Sequence, residues 1–155
     1  MSGAIDQKLK DLGITIPDAP TPAANYVPYV VTGNQVFISG QVPVGPDGLE
    51  FQGKVPTQVS EEDAVKAARL CAINIISQVK AACGGDLDRV VRCVKLGGFV
   101  NGEPDFGNHP GVINGASDLL VEVFGDKGRH ARFAVGAGNL PFNVAVEIDA
   151  VFEIA

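Results

Sequence analysis

Residues 61–83 can hardly be anything but a long amphipathic helix, and that helix limits every fold the chain can adopt. Ala64, Ala68, Cys71, Ile75 and Val79 recur at steps of three and four, which puts them on one stripe. Ser60 with Asp63 three residues later resembles a capping box. Glu61 and Glu62 sit where the helix dipole is positive, and Gly84 ends the pattern. A helix that is apolar along one stripe has to bury that stripe against something else. A second helix is predicted over 112–124, with Val112, Ala116, Leu119, Leu120 and Val123 as its apolar side. Between the two, "DRVVRCVKLGGFV" at 88–100 reads as a strand.

The remaining segments supply a sheet. "YVVTGNQVFISGQVP" reads as two strands about a tight "TGN" turn, and "VGPDGLEFQGKVP" as a further turn and short edge. "NGEPDFGNHPG" is read as a loop, and two last strands are expected near 131–137 and 144–153. Residues 3–12 carry a short helical pattern with Ile5, Leu9 and Leu12 on one face. "IPDAPTPAAN" follows as an extended, Pro-rich connector. Residues 1–27 are therefore read as an N-terminal extension and 28–155 as one domain. The class is α+β: a mixed β-sheet with two long helices packed on one face and strands arranged in hairpins.

Composition removes several function classes. The chain has 155 residues, a formal net charge of −6, no Trp and two Tyr. Its one basic stretch is "KGRH" at 127–130. Tight nucleic-acid binding needs clustered cations and stacking aromatics, so no nucleic-acid partner is expected. The three cysteines, Cys71, Cys83 and Cys93, match no metal or disulfide spacing and are read as small buried apolar residues. His109 and His130 have no partner at ligand spacing, so no metal and no cofactor are expected. Ser39 in "ISGQ" lacks the strand–turn–helix setting of a hydrolase nucleophile. No apolar run is long enough for a bilayer and no leader is visible, which gives an expectation of no membrane partner and a cytoplasmic location.

The C-terminal run "RFAVGAGNLPFNVAVE" is the unusual one, because no charged residue separates Arg132 from Glu147. On the last strand Val144, Val146, Ile148 and Ala150 share one face, and Ala145, Glu147, Asp149 and Val151 the other. From spacing alone, Arg132 could reach solvent or pair with Asp149 across a terminal hairpin. It could equally offer its planar fork to a ligand carboxylate. Glu147 could be an exposed edge residue, an interface ion pair, or a carboxylate that polarises water. A sheet face that the chain's own helices leave open needs a cover, and self-association would provide one.

"RFAVGAGNLPFNVAVEIDAV" together with "PYVVTGNQVFISGQVP" resembles the YjgF/YER057c/UK114 family, the reactive-intermediate deaminases. The resemblance runs from about residue 28 to 155. It implies a chorismate-mutase-like fold assembled as a homotrimer, with ligand pockets between subunits and hydrolysis of 2-imino acids to 2-keto acids and ammonia. Carried over by position, Arg132 would hold a substrate carboxylate and Glu147 would stand beside the attacking water. Tyr29, Gly40 and Asn114 would line the pocket. Ala134 stands where many members carry Cys, so no thiol acts there, although its backbone carbonyl could hold water. The partner implied is a small carboxylate-bearing metabolite. A trimeric keto-acid-binding or regulatory protein is the alternative. The ribonuclease or translation-inhibitor role sometimes attached to the family fits poorly with the acidic charge.

Overall fold

The computed structural model describes residues 3–20 and 25–155. Part of the Pro-rich connector, residues 21–24, lies outside the described residues. Helix α1 spans Ala4–Asp11, strand β1 Tyr29–Thr32 and strand β2 Gln35–Gln41. The two-residue strands β3 (Val44–Gly45) and β4 (Gly48–Leu49) form a small ribbon. Helix α2 (Glu61–Ala82), strand β5 (Val90–Val100), helix α3 (His109–Phe124), strand β6 (Ala131–Gly136) and strand β7 (Val146–Ile154) follow.

Local signals placed both long helices. Ser60 Oγ accepts from the Asp63 amide at 3.1 Å, while the Asp63 carboxylate turns to Lys66 at 3.7 Å, so only half of a capping box forms. Gly84 adopts φ +64° just past the end of α2, and its amide donates to the Ala81 carbonyl at 3.1 Å. The stripe residues Ala64, Ala68, Cys71, Ile75 and Val79 are all fully buried. Helix α3 starts three residues before the predicted 112. Asn108 caps it by accepting from the Gly111 amide at 3.2 Å, and Pro110 sits in its first turn, where a missing N–H costs nothing.

The main sheet runs β1-β2-β7-β5-β6. Its first three pairings are antiparallel and β5–β6 is parallel, so the sheet is mixed. This corrects the expected hairpin of the last two strands: β5 lies between β6 and β7. A parallel neighbour requires a crossover, and α3 provides it from β5 to β6. The β6–β7 connection is pinned by Asn101, whose Nδ2 donates to Asn143 Oδ1 at 3.0 Å and to the Val144 carbonyl at 3.1 Å. Phe142 and Asn143 take left-handed backbone there, φ 57° and 58°.

Both long helices cover the face that carries Val36, Ile38, Leu96, Ile148, Ala150 and Phe152, all buried. Among the described residues the opposite face has no helix on it, and Phe37 (45% exposed), Phe133 (37%), Val135 (41%) and Val30 (51%) stand on it. Lone exposed apolar residues need no explanation, but here they stand in a row along one sheet face. Helix α1 packs against α3, and the Asp88 carboxylate caps its start by accepting from the Ala4 and Ile5 amides, each at 3.0 Å. All three cysteines are free and buried. Burial pushes each thiol up, Cys93 to about 12, so none is a ready nucleophile.

Candidate functional site

The register separates Arg132 from Glu147 by more than sequence. Arg132 lies opposite Leu96, which lies opposite Ala150, and Leu96 and Ala150 are buried beneath the helices. Glu147 lies opposite Phe99, which lies opposite Val135, on the open face. Side chains alternate along a strand, so the two charges of one chain sit on opposite faces of its sheet. An Arg132–Asp149 pair is likewise absent, because Asp149 shares the open face.

Arg132 stands at the sheet edge where β6 meets α3. Its Nη1 donates to Ser117 Oγ at 3.1 Å and its Nη2 to the Pro110 carbonyl at 3.2 Å. Asn114 is exposed between these two on the same helix stripe, since residues 110, 114 and 117 are spaced by four and three. Ala134 follows Arg132 on the same side of β6 and packs at the margin of the core. Arg132, Asn114 and Ala134 thus form one group, and Arg132 anchors it with two spent donors.

Gly40 and Glu147 form a second group. The register of β2 against β7 slips between Ile38 and Gln41, so Ser39 and Gly40 bulge out of the ladder. A Cβ built on Gly40 would run into the Glu147 carboxylate, so a larger residue there would push that side chain aside. Ser39 Oγ donates to the Val27 carbonyl at 2.8 Å, which ties down the segment before β1. Tyr29 opens β1, opposite Ile38 and half-buried against the core. Burial raises the Glu147 pKa, with a smaller push from the Asp149 carboxylate. No arginine opposes the shift, because Arg132 is on the other face.

The sequence reading missed Ser117 and gave His130 no role. Ser117 Oγ lies 2.8 Å from His130 Nε2, and His130 Nδ1 lies 2.6 Å from the Gly128 carbonyl. The apparent basic stretch is thereby dispersed: His130 turns toward α3 and Arg129 pairs with Asp126 at 3.4 Å. Among the described residues, no three His, Cys, Asp or Glu side chains converge to hold a metal ion. No helix among them is long and apolar enough to cross a membrane.

Comparison with known proteins agrees with this architecture. A family model described as "YjgF/chorismate_mutase-like, putative endoribonuclease" matches residues 6–153. Protein TCP17 of Trypanosoma cruzi is 48% identical over 99% of this chain and 96% of its own length. The crystal structure of Atu1372 from Agrobacterium tumefaciens, a protein of unknown function, superimposes with a TM-score of 0.91 at 49% identity. It covers 97% of this chain and 92% of that one. Escherichia coli TdcF, solved with bound serine, superimposes with a TM-score of 0.63 at 26% identity, covering 88% of this chain and 94% of its own. With a matching family model over nearly its whole length and a relative at 48% identity, the chain belongs to the YjgF family, with its chorismate-mutase-like fold.

Proposed function

We propose that the protein is a hydrolytic deaminase of 2-imino acids, working in clefts between three copies of the chain. The observation that carries this reading is the division of the candidate residues. Arg132, Asn114 and Ala134 lie at the β6–α3 edge, while Gly40 and Glu147 lie on the uncovered face. Neither group is a site alone. Packing the apolar open face of one copy against the edge of the next buries Phe37, Phe133 and Val135 and unites the two groups.

In the united cleft, the Arg132 fork binds the substrate carboxylate and the Gly40 backbone helps orient it, with Tyr29 and Asn114 flanking. Glu147, assisted by the Ala134 carbonyl, holds the water. As the water oxygen bonds to the imine carbon, its proton passes to Glu147 and the C=N electron pair moves onto nitrogen. Glu147 returns the proton to that nitrogen to give a carbinolamine. It then takes the hydroxyl proton and passes it to the amine as the C=O bond forms and the C–N bond breaks, so ammonia leaves with a 2-keto acid behind. A carboxylate whose pKa is raised by burial is a stronger base toward water than an exposed one, which suits this two-way transfer. Imines hydrolyse in water unaided, so positioning and modest polarisation suffice, with no cofactor.

The second reading, a keto-acid-binding trimer without turnover, has one observation in its favour: Ala134 offers no side-chain group to the reaction. The serine held by TdcF, an amino acid with a carboxylate, fits either reading. The deciding experiment generates imino acids in situ with an amino-acid oxidase, traps them competitively with semicarbazide, and compares wild type with Arg132→Ala. A deaminase lowers trapped imine in wild type only. No effect from either protein, with 2-ketobutyrate still raising the melting temperature of wild type alone, leaves the binding protein.

A further inference from the structure

The least explained contacts in the molecule converge on Arg132. Its Nη1 donates to Ser117 Oγ at 3.1 Å, and that same Oγ lies 2.8 Å from His130 Nε2. The far ring nitrogen, His130 Nδ1, lies 2.6 Å from the Gly128 carbonyl. A carbonyl can only accept, so Nδ1 carries the hydrogen. In the neutral ring Nε2 then carries a lone pair and can only accept. The Ser117 hydroxyl must therefore donate to Nε2, which turns the Oγ lone pairs toward the guanidinium. Each member fixes the direction of the next.

The origin of this chain of bonds is rigid. A Cβ on Gly128 would overlap the Leu120 carbonyl, so the Gly128 backbone lies directly on α3, where no larger residue fits. Gly128 is buried, and the Arg129 carbonyl beside it accepts from Arg92 Nη2 at 3.1 Å. Ser117 and Pro110 both belong to α3, so the arginine is held at two points of one helix. Each terminal nitrogen spends one hydrogen on the helix and keeps a second, leaving a fork of fixed orientation.

We propose that Ser117 and His130 are positioning residues for Arg132, forming a directional relay from the Gly128 carbonyl that presets the guanidinium to receive a carboxylate in both terminal N–H groups. The role rests on the reading of Arg132 as the carboxylate holder. A preset fork loses less side-chain freedom on binding than a free one, and that saving appears as affinity. The relay touches no reacting atom, so it governs substrate holding and leaves the chemical step alone.

Two measurements test this on the full chain. In histidine-labelled protein, long-range proton–nitrogen correlation should show His130 as the Nδ1–H tautomer. The chain has two histidines, so His109→Gln assigns the signals. An Nε2–H tautomer overturns the relay. Calorimetry with 2-ketobutyrate and imine kinetics then compare wild type, Ser117→Ala, Ser117→Thr, His130→Leu and His130→Gln. Loss of one hydrogen bond to a charged group should weaken 2-ketobutyrate and raise KM about tenfold in Ser117→Ala, with kcat within about twofold. His130→Leu should weaken binding in the same direction. Thr restores the hydroxyl and Gln restores an acceptor where Nε2 stood, so both should recover most of the affinity. A general loosening of the fold would lower kcat as well and would not be rescued. Ser117→Ala and His130→Leu binding like wild type, while Arg132→Ala fails to bind, overturns the relay and leaves the carboxylate reading intact. Wild type binding no better than Arg132→Ala overturns the carboxylate reading and, with it, the relay's role.

Discussion

Arg132→Lys separates charge from geometry at the proposed carboxylate site. Arginine here reaches Ser117 and the Pro110 carbonyl at 3.1 and 3.2 Å and still has N–H groups to offer. Lysine keeps the positive charge but replaces a planar fork with a single ammonium bearing three donors. If two of those donors stay with Ser117 and Pro110, one remains for the ligand, and one of two charge-assisted hydrogen bonds is lost. Such a bond is worth about 1.5–3 kcal/mol, and at about 1.4 kcal/mol per factor of ten this is a loss of about 10- to 150-fold. The loss should appear in kcat/KM for imine hydrolysis and in the calorimetric affinity for 2-ketobutyrate, with the melting temperature nearly unchanged. Arg132→Lys within about threefold of wild type in both assays would refute the fork, because charge alone would then hold the carboxylate.

Glu147→Gln should lower kcat by about 10²- to 10⁴-fold, the usual contribution of a general acid–base. The same change should raise stability at neutral pH. The folded-state pKa of Glu147 lies above its ordinary 4.5, so the fold disfavours the charged form. The penalty is absent below pH 4.5 and grows as pH rises through the folded value. Melting curves at pH 4 and pH 7.5 should show a gain only at the higher pH, and an equal gain at both would contradict the assigned cause. On the open face, Phe37→Asp with Phe133→Asp should convert a species of three times 16.1 kDa to one of 16.1 kDa in sedimentation. A wild-type monomer would rule out the intersubunit cleft. Asp88→Ala removes the acceptor for two α1 amides and should cost about 1 kcal/mol, seen as a Tm drop of about 2–4 °C. An unchanged Tm would show that α1 adds nothing to global stability.

Features that depend only on neighbours along the chain were legible before any fold was known. The period of α2, its Ser60 cap and its Gly84 stop are local, and so is the β1–β2 turn; all appear where the pattern puts them. The paired apolar and polar faces of β7 were legible too, because alternation survives whatever the strand packs against. The start of α3 was misplaced because the capping signal of Asn108 and Pro110 lies inside a Gly- and Pro-rich stretch that reads as loop. Strand order was decided only by tertiary structure. Residues 137–145 are longer than the roughly two to five residues of an ordinary hairpin, and the strand–helix–strand run from β5 to β6 favours a parallel pair. With β5 inserted, Arg132 and Glu147 fall on opposite faces, which no spacing along the chain reveals. Ser117 and His130 illustrate the same limit. They are separated by a helix end and a turn, and only the packing of the Gly128 backbone onto α3 brings hydroxyl, imidazole and guanidinium into hydrogen-bonding range. Local hydrogen bonds and periodicity act over a few residues and are written in the chain, whereas the faces and edges that form a site exist only once distant strands have chosen their neighbours.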